Sequence, residues 1–118
     1  MAESGQLTGD QLAAIARELG SIKAESYGKG PTEAKAYSCD DFVFCVLKGS
    51  ITAVERTLLD HGDDELVRQV RSRYQARMAG HYIGAVERIT GRKALTYQSQ
   101  VLFDPDYIVE IFVLAPAD

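Results

Sequence analysis

The 118-residue chain has no tryptophan, two cysteines, two histidines and three prolines. Each scarcity removes a class of function. Cys39 and Cys45 have five residues between them, which is neither a CxxC redox pair nor a zinc pattern. His61 and His81 are distant from each other in sequence, so no cluster offers the four N or S ligands of a structural zinc site and no metal is expected. Cys45 reads as a small core hydrophobe and Cys39 as a partly exposed free thiol beside a turn. The longest apolar run, Phe42 to Leu47, falls far short of the roughly 18–20 residues that span a bilayer. The opening MAESGQLTGDQ lacks the basic and apolar blocks of a secretory leader, so the expected compartment is the cytoplasm with no membrane insertion. There is no basic excess either. Thirteen Lys+Arg against 17 Asp+Glu leave a net charge of −4, which argues against a nucleic-acid partner.

What is present is the composition of a soluble globular domain, 46% hydrophobic and 25% charged. The length accommodates one domain, 1–118, with a core expected over about 7–115 and frayed ends of about six and three residues. Thr8 or Asp10 can cap a first helix whose Leu12, Ile15, Leu19 and Ile22 form one apolar stripe. Gly28-Lys29-Gly30-Pro31 ends it. Glu33 to Cys39 alternates as a strand. Asp40-Asp41 is a turn, and Phe42 to Leu47 is apolar on both faces, as a central or doubly covered strand would be. Thr52-Ala53-Val54-Glu55 has the form of a capping box, with Val54, Leu58 and Leu59 predicted as the inner face of a short helix. A long helix from about Asp64 to Thr90 is predicted to turn Leu66, Val70, Tyr74, Met78, Tyr82, Ala85 and Ile89 inward. Its Gly80 and Gly84 suggest close approach of another backbone, from the first helix or a partner subunit. A second hairpin, with the turn Asp104-Pro105-Asp106, closes the chain. The order α-β-β-α-α-β-β implies an α+β two-layer sandwich, a four-stranded antiparallel sheet with helices packed on one face. The polar strand Thr96-Gln98-Gln100 implies that the other face is partly solvated or half of a subunit interface.

Candidate site residues are few. Tyr27-Gly28-Lys29-Gly30-Pro31 could cradle an anion around a lysine, although it follows a helix and so sits at the negative end of the helix dipole. Glu110 interrupts an apolar strand face. It is either a buried acid paired with arginines of the long helix or with Lys35, or an edge residue facing solvent or a subunit. Arg71, Arg73 and Arg77 could form a cationic stripe, and Arg92 with Lys93 follows the helix stop at Gly91. No nucleophile–base pair or cofactor motif is recognisable, so catalytic residues and cofactors are expected to be none.

Tyr27-Gly28-Lys29-Gly30-Pro31, Asp40-Asp41 before an apolar strand, Thr52-Ala53-Val54-Glu55 with Leu58, Thr90-Gly91-Arg92-Lys93 and Glu110-Ile111-Phe112-Val113-Leu114 together resemble the MpsC-domain family over about residues 7–115. That family is named for a sodium-translocating, membrane-potential-generating system that is also linked to inorganic-carbon uptake. The resemblance implies a small bacterial cytosolic protein accessory to a membrane system, and supplies no catalytic residues. Two readings follow. One is an accessory or regulatory module acting through protein contacts, as a homodimer and with a membrane-system protein as partner. The other is a small-molecule or anion-binding protein using Tyr27, Gly28, Lys29, Gly30 and Glu110, with Lys29 or Lys35 converging on Arg71 or Arg92.

Overall fold

The computed structural model describes residues 6–117. Its first helix starts where the Thr8 hydroxyl accepts from the Gln11 N–H while the Gln11 side chain accepts from the Thr8 N–H. Helix α1 spans Gly9–Tyr27 and stops at Gly28, whose φ of 87° is left-handed. Strands β1 (Glu33–Cys39) and β2 (Phe42–Lys48) form an antiparallel hairpin. The predicted capping box at Thr52 and Glu55 opens α2 (Ala53–Asp60), and α3 (Asp64–Thr90) follows. Strands β3 (Ala94–Leu102) and β4 (Tyr107–Leu114) complete the expected order. The expected fraying at the ends falls largely outside the described residues.

All strand pairs are antiparallel and the sheet order is β1-β2-β4-β3. The doubly apolar strand β2 is thus central, as its composition predicts. Alternation sends Val43, Cys45 and Leu47 of β2 and Ile108, Glu110, Phe112 and Leu114 of β4 to one face, where all are buried. Helix α1 lies on β1 and β2, α3 lies on β3 and against α1, and α2 packs on α3. Both long helices therefore cover the same face, and Ile15, Leu19, Tyr82, Ala85 and Val86 close the core over it.

Three packing expectations need correction. The inner stripe of α3 does not hold over its first half. Leu66 and Val70 are each 49% exposed, and Val67 and Arg71 are buried instead. Steps of four residues advance about 40° past a full turn, so a run of them winds off any one face. Val54 is 71% exposed, and Glu55 is the buried residue of α2. Gly80 and Gly84 meet nothing within 4 Å of where a Cβ would stand, so α1 makes no close approach there.

Candidate functional site

The helical layer is not apolar throughout. Lys23, Glu55, Arg71 and Glu110 are all at least 94% buried. Lys23 and Tyr27 come from the last turns of α1, Glu55 from the first turn of α2, and Arg71 from the second turn of α3. Arg71 donates through Nε to Glu55 Oε2 at 2.8 Å and through Nη2 to Glu55 Oε1 at 2.7 Å, a two-pronged charge-assisted pair. The Tyr27 hydroxyl donates to the same carboxylate, which also caps α2 by accepting the Thr52 N–H at 3.0 Å. Burial pushes the Glu55 carboxyl up, but the bonds from Arg71, Thr52 and Tyr27 together outweigh it and hold the group down at about 2. Burial and the adjacent Glu55 push the Tyr27 phenol well above its ordinary range.

Lys23 reaches into the same cluster without a hydrogen-bond acceptor among the described residues. Its Nζ lies 3.9 Å from the Tyr27 ring centroid and 4.7 Å from that of Tyr74. Burial, then repulsion from Arg71, lowers its ammonium to about 8. Among the described residues, three buried side-chain atoms have no hydrogen-bond partner: Arg71 Nη1, Ser50 Oγ and Asp106 Oδ1. Asp106 Oδ2 accepts the Ile51 N–H at 3.1 Å, and Arg71 Nη2 reaches the Ser50 carbonyl at 3.3 Å, so these groups share one junction of helices and loops. Lys23 and Arg71 stand against Glu55 and Asp106, and Lys29 adds a third cation where it meets the Ile51 carbonyl.

A second polar group lies deeper. The Tyr97 hydroxyl donates to Glu110 Oε1 at 2.8 Å, and Ser99, which faces Glu110 in register, bonds Gln75 of α3. Burial raises the Glu110 carboxyl against the opposing effects of Ser99, Tyr97 and Lys23. Tyr74 and Tyr82 share a hydrogen bond of 2.7 Å, and edge-on ring contacts run from Tyr27 through Tyr74 and Tyr82 to Tyr97. Aromatic rings thus bridge the two polar groups.

The predicted site residues divide. Tyr27 and Arg71 meet, and the Lys29 ammonium donates to the Ile51 carbonyl at 2.9 Å, next to Arg71's contact at Ser50. Gly28 serves as the helix stop. Gly30 packs on α1, where a Cβ would fall 2.9 Å from that of Ala24. Lys35 does not join them, because strand alternation places it on the face opposite Ala34 and Ala36. Arg92 is elsewhere too, bonded to Asp41 Oδ1 at 2.6 Å and to the Ala115 carbonyl at 2.9 Å. Glu110 is buried, but its partners are Tyr97 and Ser99 rather than Lys35 or an arginine. Arg71 is buried, so it does not belong to a surface stripe with Arg73 and Arg77, which are exposed. Lys23, Ser50, Glu55 and Asp106 were not anticipated as site residues. Lys23 carried one signal, its position four residues after Leu19 on the α1 stripe.

The other face of the sheet has no helix among the described residues. Phe44, Val46, Val109 and Ile111 form its centre in direct cross-strand pairs, Phe44 with Ile111 and Val46 with Val109. Phe42 stacks on Phe44 with ring centroids 5.7 Å apart. Tyr37, Phe42 and Leu102 on this face are 45%, 43% and 45% exposed. Polar residues confine themselves to the flanks, with Thr96, Gln98 and Gln100 along β3 and the Glu33–Lys48 ion pair at one end.

Among the described residues no helix is long and apolar enough to cross a membrane, and no group of His, Cys, Asp and Glu could hold a metal ion. No curated protein and no solved structure matches the chain. A family profile covers residues 8–116, nearly the full length. The chain belongs to the family described as the Na+-translocating membrane potential-generating system (MpsC) family.

Proposed function

We propose that the chain is an accessory module that acts through protein contacts, pairs with a second copy through its open sheet face, and serves a membrane cation or inorganic-carbon transport system. The observation that carries this reading is the uncovered apolar centre made by Phe44, Val46, Val109 and Ile111. Strands about 4.8 Å apart with a rise near 3.3 Å make this face roughly 500 Å² in projection, and more in accessible area. A standard interface takes about 800 Å² from each partner. Two such faces stack at about 10 Å separation with strands near-aligned, burying the apolar centres and leaving the glutamines at the rim. The family's membrane system supplies the setting. Light scattering during gel filtration tests the pairing: twice the 12.9 kDa chain mass is expected, and a single-chain mass at the highest soluble concentration overturns it.

A second reading, binding of a small anion, draws support from Lys23 and from Arg71 Nη1, which lack acceptors. The carboxylates of Glu55 and Asp106 in the same cluster offset that charge, and Lys35 and Arg92 lie away from it. It is therefore the weaker of the two. A melting temperature unmoved by millimolar bicarbonate or phosphate would dispose of it, since ligand at 100 times Kd adds about 2.7 kcal/mol.

A further inference from the structure

We propose that Lys23, Tyr27 and Arg71 form a carboxylate-binding site, that Glu55 fills it as the chain's own ligand, and that α2 is the strap that carries Glu55 in and out. The fork of Arg71 on both Glu55 oxygens, joined by the Tyr27 hydroxyl, is the geometry by which a guanidinium recognises a carboxylate. Lys23 adds positive charge beside it, with its Nζ 3.9 Å from the Tyr27 ring centroid. Arg71 Nη1 keeps a further buried donor without a partner among the described residues. Lys23 and Tyr27 belong to α1 and Arg71 to α3, and only the acid comes from α2. With Glu55 withdrawn, Lys23, Arg71 and Lys29 would stand against Asp106, an excess of positive charge that favours another carboxylate.

Helix α2 has little else to fasten it. Glu55 is its buried residue, and Val54, the apolar residue beside it, is 71% exposed. Leu58 and Leu59 are half-buried against the rest of the helical layer. Among the described residues, none in α2 belongs to the apolar core or packs against it. A helix of two turns draws its stability from such packing, so α2 depends on its one ion pair. Its flanks allow it to move as a unit. Ile51, just before it, is pinned by Asp106 and Lys29. Gly62, just after it, turns at a φ of 84° in open space. Segments with few buried apolar contacts are those that open below the global unfolding transition. While α2 is seated, the tethered acid holds the site against free carboxylates, because a short tether is worth an effective concentration on the order of millimolar. The site is open to a foreign carboxylate only when α2 leaves it. None of this depends on the pairing of sheet faces.

Glu55→Ala removes Cγ and the carboxylate, which are the atoms of an acetate ion, so acetate is the probe. Melting is followed by circular dichroism in acetate and in chloride of equal ionic strength. Acetate is expected to raise the midpoint of Glu55→Ala by roughly 5 °C once it stands several times above its Kd, and to leave wild type unmoved. Glu55→Gln, whose amide fills the space, and Glu55→Ala with Arg71→Met, which lacks the fork, should not respond. If Glu55→Ala alone does not fold, acetate and not chloride should restore its helical spectrum. Native-state hydrogen exchange on wild type tests the strap. Amides of residues 53–60 should exchange through an opening that leaves α1 and α3 protected, and Glu55→Ala should speed them roughly tenfold, as loss of a charge-assisted bond would. Acetate that acts no better than chloride, a double variant that responds as Glu55→Ala does, or α2 amides that exchange only together with α1 and α3 would each overturn the proposal.

Discussion

Arg71 and Glu55 meet in a forked ion pair at 2.7 and 2.8 Å, both buried, with the Tyr27 ring centroid 5.1 Å from the guanidinium carbon. The single carboxylate of Glu55 joins the end of α1, the start of α2 and the second turn of α3. Removing one partner leaves the other as an unpaired buried charge. Arg71→Met alone is expected to cost about 3–5 kcal/mol in urea denaturation. Adding Glu55→Leu should recover most of that loss, because no charge is then stranded. A deficit of about 1–3 kcal/mol should remain from the lost cap on α2 and from the Tyr27 hydroxyl left without its acceptor.

The same carboxylate governs the acid limb. Its folded value is held at about 2, below the ordinary 4.5, so the folded chain releases this proton more readily than the unfolded one. The stability it contributes is fully present above pH 4.5 and is lost as pH falls toward 2. Glu110 has the opposite sign. Its raised value favours the protonated form in the fold, so its contribution weakens as pH rises through the carboxylate range. Urea midpoints of wild type and Glu55→Gln should converge as pH falls from 4.5 toward 2, and midpoints that stay equally far apart would contradict the assignment.

Lys23 controls the alkaline limb. Its ammonium titrates at about 8 in the fold against 10.5 in the open chain, so the unfolded state holds more protons between those values and folding gains as pH rises. Cys45, which burial pushes up to about 12, and the buried tyrosines oppose this trend. The comparison with Lys23→Met cancels them. Lys23→Met should be more stable than wild type at pH 7, and its advantage should shrink as pH rises from 8 toward 10.5. A constant difference would show that the ammonium is not desolvated.

Gly80 and Gly84 lie inside α3 with nothing within 4 Å of a built Cβ. Alanine at each is expected to stabilise the chain by up to about 1 kcal/mol, the difference in helix propensity. Loss of stability together with loss of the dimer would move the subunit contact from the sheet to this helix. Gly49 provides the contrast. Its φ is 74° and Thr32 already occupies the place of a Cβ, so Gly49→Ala should lower the thermal midpoint.

The fold was legible because its signals are local. The Thr52–Glu55 box, the glycine stop at Gly28 and the period-two alternation of both hairpins each act within a few residues. The polar cluster was not legible, because its pairs join residues far apart in the chain. Glu55 was already accounted for as a cap, and Arg71 as one of several arginines on a solvated helix, and only tertiary packing brings them together across 16 residues. Lys23 was hidden by its type, since lysine on a helix is normally a surface residue. Lys35, expected with Lys29 to converge on Arg71 or Arg92, lies apart from the cluster. One residue of strand parity puts it on the opposite face from Ala34 and Ala36. The apolar outer positions Phe44, Val46, Val109 and Ile111 were visible in both strands, but which face the helices cover is decided by the fold.

The pairing of two sheet faces is tested most directly by sedimentation equilibrium on three proteins: wild type, Val109→Lys at the centre of the open face, and Val70→Lys on the exposed surface of α3. Wild type and Val70→Lys should sediment at twice the 12.9 kDa chain mass, and Val109→Lys at one chain mass with an unchanged circular dichroism spectrum. A monomeric wild type, or a Val109→Lys protein that remains dimeric, would contradict an interface on this face.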